Sequence, residues 1–282
     1  MTKPAAIRPL GVTDRYVRML IVAGPGFGKT VLAGTAPNAL FLTTDPEGTL
    51  SAWAFGSDAQ EWEIESWANI QEAFRYLRDG GIEEMDLKWV IIDNTSEAQN
   101  FGMSETMQKA RAQNSRLDEF IPSQQDYQRS QLMILKLVKQ FNDLPVNVLW
   151  TAWQKSEEDQ DGNVYFAPAI HGQQGAVAQM VAGYMNIVGY GEVIEADDKE
   201  VRRVWFTHHG PYRGKDRFVA LGQKRDGLTI AKMDEIIQAA VAKRKAQRAA
   251  AKKTGAATRS TASTTTKTAP ARRRTATTRK AR

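Results

Sequence analysis

The stretch MLIVAGPGFGKTVL, residues 19–32, decides the fold because it joins a strand pattern to a helix pattern through a glycine-rich turn. Four apolar residues lead into the turn, and Lys29 and Thr30 follow it at the start of the helical pattern. Glycines let backbone N–H groups converge on an anion, and the next helix offers its positive N-terminal end. The stretch therefore predicts a loop that cradles phosphate groups.

The turn matches the P-loop pattern G-x-x-x-x-G-K-[ST] except at its first position, where Ala23 replaces glycine. Alanine is small enough to leave the turn undisturbed. The pattern assigns Lys29 to the β- and γ-phosphates and Thr30 to Mg²⁺. We predict that ATP, with Mg²⁺, is held by the loop and the first helical residues: Gly24, Pro25, Gly26, Phe27, Gly28, Lys29, Thr30 and Val31.

The charge is distributed unevenly along the 282 residues. Residues 241–282 contain 14 Lys or Arg and no Asp or Glu, which leaves 24 basic and 32 acidic residues, a net charge of −8, in residues 1–240. This tail is mainly Ala, Thr, Lys and Arg, so it cannot bury enough surface to offset its ordering entropy. We predict an arm at 1–14, a core at 15–240 and a disordered basic tail at 241–282. The tail suits a polyanion, and the alternative is a solubilising role.

Several classes of protein are disfavoured by composition. No run of about 18 apolar residues is present, so no membrane span is predicted, and no charged-then-apolar leader opens the chain. The absence of cysteine excludes disulfides and thiolate metal sites and fits a reducing cytoplasm. The three histidines do not support a metal centre.

Strand patterns alternate with helix patterns along the core, which predicts an α/β fold with a mostly parallel sheet. The buried-strand patterns are ALFLTTD (39–45), KWVIIDN (88–94) and VNVLWTAW (146–153). Residues 127–141 place Ile134, Leu137, Val138 and Phe141 on one helix face. Asp161-Gly162 predicts a hairpin turn, and residues 185–195 and 201–209 are expected to extend the sheet as antiparallel strands.

Two acidic positions complete the predicted site. Asp93 ends the strand VIID, where a carboxylate can hold Mg²⁺ directly or through water, although an Asp at a strand end is often only a turn residue. Asp45 and Glu47 follow the preceding strand at the same sheet edge. Glu47 on this turn can activate a water at the γ-phosphate. The alternative is a solvated Asp-Pro turn.

These motifs together resemble the RecA/RadA recombinase ATPases over residues 15 to 225. The resemblance rests on the phosphate loop, the D-x-E of residues 45–47, the VIID strand and the WTAWQ strand end. It is strongest to the small RecA-like core ATPases of bacteriophages that are associated with single-strand annealing. It implies a catalytic role for Glu47, γ-phosphate sensing by Gln154, and a basic pair, Lys215 and Arg217, that reaches the ATP of a neighbouring subunit. The alternative for the pair is a basic turn in a hairpin.

The resemblance implies an ATPase that binds single-stranded DNA in recombination or annealing. It also implies a homo-oligomer, ring or filament, in a bacterial host cytoplasm if phage-encoded, with a single-strand binding protein as a further partner and no membrane. Loops at 111–129 and 154–175 are expected to face the strand, although acidic residues in the second repel phosphates. Their candidate contacts are Arg111, Arg116, Tyr127, Lys155, Tyr165 and Phe166. The alternatives are a nucleotide-gated module with negligible turnover and a RecA-fold helicase-type motor.

Overall fold

The computed structural model of this chain describes residues 16–172 and 175–261, with side chains up to residue 251. The predicted arm at 1–14 therefore lies outside the described residues. The chain divides into two compact units, residues 1–241 and 242–282.

The central strands follow the apolar runs of the sequence. Those at the centre of the sheet are buried on both faces, as expected for parallel strands covered by helices. In chain order they are β1 (Arg18–Ala23), β2 (Ala39–Thr43), β3 (Gln60–Glu63), β4 (Trp89–Asp93), β5 (Asn147–Glu158), β6 (Val164–Pro168), β7 (Ile187–Ala196), β8 (Lys199–Trp205), β9 (His208–His209), β10 (Tyr212–Arg213), β11 (Lys215–Asp216) and β12 (Lys224–Asp226).

The longer helices begin at side-chain caps. The Ser66 hydroxyl accepts from the backbone N–H of Asn69, the Asn94 side chain accepts from that of Glu97, and Ser123 forms a reciprocal capping box with Asp126. The helices are α1 (Lys29–Ala33), α2 (Pro46–Ala54), α3 (Trp67–Tyr76, followed by a π-helical turn at Leu77–Gly81), α4 (Ile82–Glu84), α5 (Thr95–Gln113), α6 (Gln124–Asn142), α7 (Ala176–Tyr184) and α8 (Ile230–Thr261).

Six strands form a parallel sheet in the order β7-β1-β5-β4-β2-β3. Strand β8 pairs antiparallel with β7, and β12 with β8, while β6 and β11 add short antiparallel pairs to β5 and β7. The predicted α/β, RecA-like P-loop fold with an antiparallel extension is confirmed. One detail differs: β7 is parallel to β1, so the antiparallel extension begins only at β8.

The core lies on both faces of the sheet. On one face, α6 buries all four predicted core positions, Ile134, Leu137, Val138 and Phe141, together with residues of α3, α5 and α7. On the other face, Ile230, Met233 and Ile237 of α8 and Ala33 of α1 cover the central strands. Within the described ranges, no helix combines the length and apolar content needed to cross a bilayer.

Helix α8 extends past the predicted core boundary at residue 240 and continues through Thr261. The reason is intrinsic propensity, because Ala, Lys, Arg and Gln are strong helix formers even where they bury little surface. Residues 262–282 of the predicted tail lie outside the described part of the chain.

Two strands extend beyond the end of β1. Ala23, its last residue, pairs with Trp153 of β5 and with Gly191 of β7. Strand β5 continues to Glu158 and β7 to Ala196, and each turns back into an antiparallel partner. The loop after β1 is therefore flanked by two projecting hairpins, β5–β6 and β7–β8.

Candidate functional site

The phosphate loop is the five-residue connection between β1 and α1. Gly26 and Gly28 adopt φ angles of 79° and 87°, a left-handed conformation that residues other than glycine rarely adopt. The Lys29 ammonium donates to the carbonyls of Ala23 and Gly24, each at 3.1 Å. Burial lowers the pKa of Lys29, and the nearby Asp93 carboxylate acts in the opposite direction. The lysine therefore lies folded over the loop, within reach of an anion bound there.

The loop is anchored to the sheet by Phe27. Its ring is 3% exposed and packs against Gly191 of β7, where an added Cβ would lie 2.5 Å from the ring. Ala23, which replaces the first glycine of the pattern, is fully buried at the end of β1. Phe27 can therefore offer a bound phosphate its backbone N–H, while its ring belongs to the core.

The predicted magnesium residues meet at the carboxyl ends of the strands. The Thr30 hydroxyl donates to Oδ2 of Asp93 at 2.6 Å, and the Thr151 hydroxyl donates to Oδ1 at 2.5 Å. Thr151 lies on β5, the strand between β1 and β4, and contacts Asp93 from that neighbouring strand. Both carboxylate oxygens are thereby oriented.

This pair of oxygen donors fits Mg²⁺. The ion is usually held by one or two protein oxygens, waters and substrate phosphates rather than by a full protein cage. The described ranges contain no group of three or more His, Cys, Asp or Glu side chains arranged for a metal. Thr30 and Asp93 would therefore hold Mg²⁺ together with the nucleotide.

Asp93 is fixed from the neighbouring strand as well. The backbone N–H and the hydroxyl of Thr44 both donate to the Asp93 carbonyl, at 2.8 and 3.2 Å. The Asn94 N–H donates to the Thr44 hydroxyl at 3.2 Å, and the Asp93–Asn94 peptide is cis. No sequence pattern predicts the roles of Thr44 and Thr151, since a threonine in or after a buried strand has no pattern of its own.

Glu47 lies in the first turn of α2, not on an open turn as predicted. Asp45 is the residue that precedes this helix, and Thr43 at the end of β2 pairs with Asp93. Both Asp45 and Glu47 are exposed, and the Glu47 carboxylate has no hydrogen bond or ion pair to any described residue. A carboxylate at this sheet edge is free to meet a water, and its catalytic role stays a prediction.

Gln154 follows Trp153, the residue that pairs with the end of β1. Its Oε1 atom is buried and has no hydrogen-bond partner within the described residues. Rotation about the terminal bond exchanges the oxygen for the amide nitrogen, which can donate to a phosphate. An unsatisfied amide next to the loop is consistent with the predicted sensing role.

Lys215 and Arg217 are not brought to the phosphate loop of their own chain. Lys215 pairs with Val188 of β7, and the Arg217 N–H donates to the Asn186 carbonyl, both on the amino side of Gly191. The Lys215 ammonium donates to two successive carbonyls in the last turn of α7, at 2.8 and 3.1 Å. The Arg217 guanidinium donates to the second of these carbonyls at 3.0 Å. The pair therefore caps α7, and action on a neighbouring subunit stays a prediction.

The two loops expected to face DNA differ. The second is the β5–β6 hairpin, where the Lys155 ammonium and the Tyr165 hydroxyl bind Glu157, at 2.6 and 2.9 Å, so these groups are engaged internally. The first joins α5 to α6 and exposes three apolar residues, Leu117, Phe120 and Ile121. In it, Arg111 pairs with Glu119 at 2.6 Å.

Arg202 is a basic residue of the site that the sequence did not reveal. Its Nε donates to the Phe27 carbonyl at 3.0 Å, and it lies 3.4 Å from the position of a Cβ on Gly28. It belongs to β8, some 170 residues after the loop, and reaches it because the β7–β8 hairpin projects past β1. No local pattern in the sequence indicates this contact.

The chain is similar to a KaiC-like protein from the hyperthermophilic archaeon Pyrococcus horikoshii OT3, with 16% identity over 66% of this chain and 76% of that one and a TM-score of 0.39. No curated protein matches the chain. Residues 15–218 match the family model described as AAA domain. That match covers well over half of the sequence and contains the phosphate loop and Asp93, and it shows that the chain belongs to the AAA domain family of P-loop ATPases.

Proposed function

We propose that this protein is an ATP-dependent ATPase that binds single-stranded DNA and acts in recombination or strand annealing. The observation that carries the ATPase part is the 2.6 Å contact between Thr30 and Asp93, which joins the phosphate loop to the acidic strand end. This is the pair through which P-loop ATPases hold Mg²⁺ against the phosphates.

Each residue of the site has a role in this proposal. Lys29 and the backbone N–H groups of residues 24–30 bind and orient the phosphates, and bound Mg²⁺ neutralises the charge that develops on them. Glu47 accepts a proton from the attacking water. Gln154 responds to the presence of the γ-phosphate, at the base of the β5–β6 hairpin.

The DNA part rests on charge. The 14 cations of residues 241–282 stand against a net charge of −8 in the remainder, so polyanion binding is concentrated in the tail. The exposed Phe120 of the α5–α6 loop offers a ring on which a base can stack. We further propose self-assembly into a ring or filament, a phage origin and action in the bacterial host cytoplasm, as the family resemblance implies.

The test is phosphate release by the full chain, with and without single-stranded DNA. We expect turnover that rises with the strand, and loss of turnover with retained ATP binding in Glu47→Gln, because the amide keeps the shape but is no base. Lys88→Ala removes an exposed lysine next to β4 and is the matched control for Lys29→Ala, which should abolish ATP binding.

ATP binding without turnover would favour the nucleotide-gated module instead. Duplex unwinding coupled to hydrolysis would favour the helicase-type motor. Normal ATP binding and hydrolysis by Lys29→Ala would refute the site itself.

A further inference from the structure

A cavity lies under the β5–β6 hairpin, on the face of the sheet opposite to Phe27 of the phosphate loop. Its volume is about 740 Å³, within the range of small-molecule sites. It is enclosed by the β5–β6 hairpin, α7, β7 and Arg213 of β10. None of the residues assigned to nucleotide binding lines it.

Tyr190 of β7 lines this cavity and carries an unused donor. The residue is 2% exposed, yet its hydroxyl has no hydrogen-bond partner within the described part of the chain. Two neighbouring aromatic side chains already have an acceptor. The Trp205 indole N–H and the Tyr212 hydroxyl both donate to the Glu192 carboxylate, at 2.7 and 2.6 Å. Burial raises the pKa of Tyr190, so the phenol keeps its proton. The phenol can therefore donate to an acceptor that enters the cavity.

The walls of the cavity suit a flat ring. Phe166 and Pro168 of β6 lie on one side, and the small side chains of Ala178 and Ala182 on α7 leave space opposite them. Apolar walls with few convergent polar groups are typical of binding sites for small ligands. An aromatic ring would gain burial here, and a carbonyl on that ring could accept from Tyr190.

The polar lining can serve a ligand that carries both an anion and ring substituents. The Arg213 guanidinium lies 5.3 Å from the centre of the Tyr165 ring and 3.9 Å from Asp159, so it is positioned but not tightly paired. Asp159 also accepts from the turn amides of Asp161 and Asn163. Glu158 remains as an exposed acceptor for a ring amine. Arg213 can therefore meet a phosphate while the carboxylates meet ring donors.

We propose that this cavity binds one nucleotide unit, with the base between Phe166 and α7, a base carbonyl on the Tyr190 hydroxyl, and the phosphate at Arg213. The ligand can come from a single strand or from a free mononucleotide. Only the strand source rests on the proposed function. Tyr190 is adjacent to Gly191, which packs against the Phe27 ring on the other face of the sheet. Strand β7 therefore contacts both the cavity and the phosphate loop.

The test uses the full chain with its phosphate loop saturated by a non-hydrolysable ATP analogue. Binding is measured by anisotropy for an oligothymidylate and for a sugar–phosphate strand of equal length without bases, and by calorimetry for dTMP. Tyr190→Phe removes only the hydroxyl, and Tyr184→Phe makes the same change outside the cavity. Ala182→Leu fills the slot and is a second, independent variant.

We expect Tyr190→Phe to weaken binding of the base-containing ligand about fivefold, from the loss of one hydrogen bond. Ala182→Leu should weaken it by roughly tenfold or more, from lost stacking. Neither variant should change binding of the abasic strand, and Tyr184→Phe should match wild type.

The remaining outcomes separate the two proposals. Binding of dTMP that depends on Tyr190, without strand binding, would support the cavity and reject the DNA function. Strand binding unchanged in both variants, with no dTMP binding, would reject the cavity alone. Failure to bind either ligand would reject both.

Discussion

Single residues define this site through contacts that are far apart in sequence. Thr30 and Asp93 are 63 positions apart and meet at 2.6 Å, and Arg202 reaches a carbonyl of the phosphate loop from 175 positions away. A charged donor fixed to the loop backbone can both hold its conformation and add positive charge beside the phosphates. Arg202 is therefore a positioning residue.

Replacing Arg202 tests this role. Arg202→Ala should weaken ATP binding by about five- to tenfold, because one charge-assisted hydrogen bond to the loop is lost. Arg202→Lys should restore little, since an ammonium cannot reproduce the guanidinium fork. Arg203→Ala is the control, because Arg203 is its neighbour on the strand and pairs with Asp226 instead. Equal ATP dissociation constants for wild type and Arg202→Ala, measured by calorimetry, would contradict the role.

Lys215 predicts a pH dependence of stability. Burial, with a smaller effect of Arg217, lowers its pKa from 10.5 to about 8 in the folded protein. Charged Lys215 therefore opposes folding below about pH 8, and that opposition disappears as the pH rises toward 10.5, where the unfolded chain also loses the proton. The free energy of unfolding of wild type should rise relative to Lys215→Met across this window, as measured by urea titration. Parallel pH profiles for the two proteins would contradict the shift.

At the level of elements, β7 links the parts of the site. It pairs with β1, which leads into the phosphate loop, and its Gly191 packs against the Phe27 ring. Its Tyr190 is buried on the opposite face of the sheet. The β7–β8 hairpin carries Arg202 to the loop. A displacement of this strand is therefore transmitted to the loop through direct packing.

Gly191→Ala should disturb the phosphate loop through Phe27. The added Cβ would lie 2.5 Å from a buried ring, and overpacking of this kind costs about 1–3 kcal/mol. We expect lower stability together with weaker ATP binding, measured by urea unfolding and calorimetry. Gly183→Ala is the matched control, since nothing lies within 4 Å of its added Cβ. Normal nucleotide affinity in Gly191→Ala would show that the loop does not depend on this packing.

For the whole molecule, assembly and the charged tail are the features that extend beyond one nucleotide site. Lys215 and Arg217 cap α7 on the amino side of the sheet, whereas the phosphate loop lies at the carboxyl edge. We therefore expect this pair to reach a bound nucleotide only across a contact with a second copy of the chain. The charge of the tail is a property of its composition, and its long-range effect on a polyanion does not depend on a particular conformation.

Mixing variants tests the shared site. Arg217→Ala should hydrolyse ATP poorly with its own phosphate loop intact, and Lys29→Ala should lack a functional loop. Together they should recover some phosphate release, because mixed interfaces contain one intact loop and one intact basic pair. Residual activity that is strictly additive at all mixing ratios would count against action between subunits.

Deleting residues 242–282 removes all 14 tail cations. Affinity for single-stranded DNA should fall, and the slope of log K against log salt should flatten by about 0.7 for each lost phosphate contact. Five engaged cations would change the slope by roughly 3.5. The ATPase rate without DNA should stay nearly unchanged. If the truncated protein binds single-stranded DNA with the same affinity and the same salt slope as the full chain, the tail has only a solubilising role.

Local pattern was sufficient to predict much of this protein. The glycines of residues 24–28, followed by Lys29 and Thr30, predicted the loop because a left-handed backbone and a phosphate contact are short-range requirements. Continuous apolar runs predicted the central strands, and 3.6-residue spacing predicted the buried face of α6. The C-terminal bound of α8 has no such signal, because Ala, Lys and Arg favour a helix without a buried face that would mark its end.

The tertiary structure decided which distant groups meet. Strand order placed β5 between β1 and β4, and so brought Thr151 to Asp93 and placed Gln154 one residue beyond the partner of Ala23, where the loop begins. The projection of the β7–β8 hairpin brought Arg202 to Phe27, and β11 carried Lys215 away from the nucleotide edge. Such pairings depend on sheet order and register, which are set by packing across the whole core rather than by neighbours in the chain.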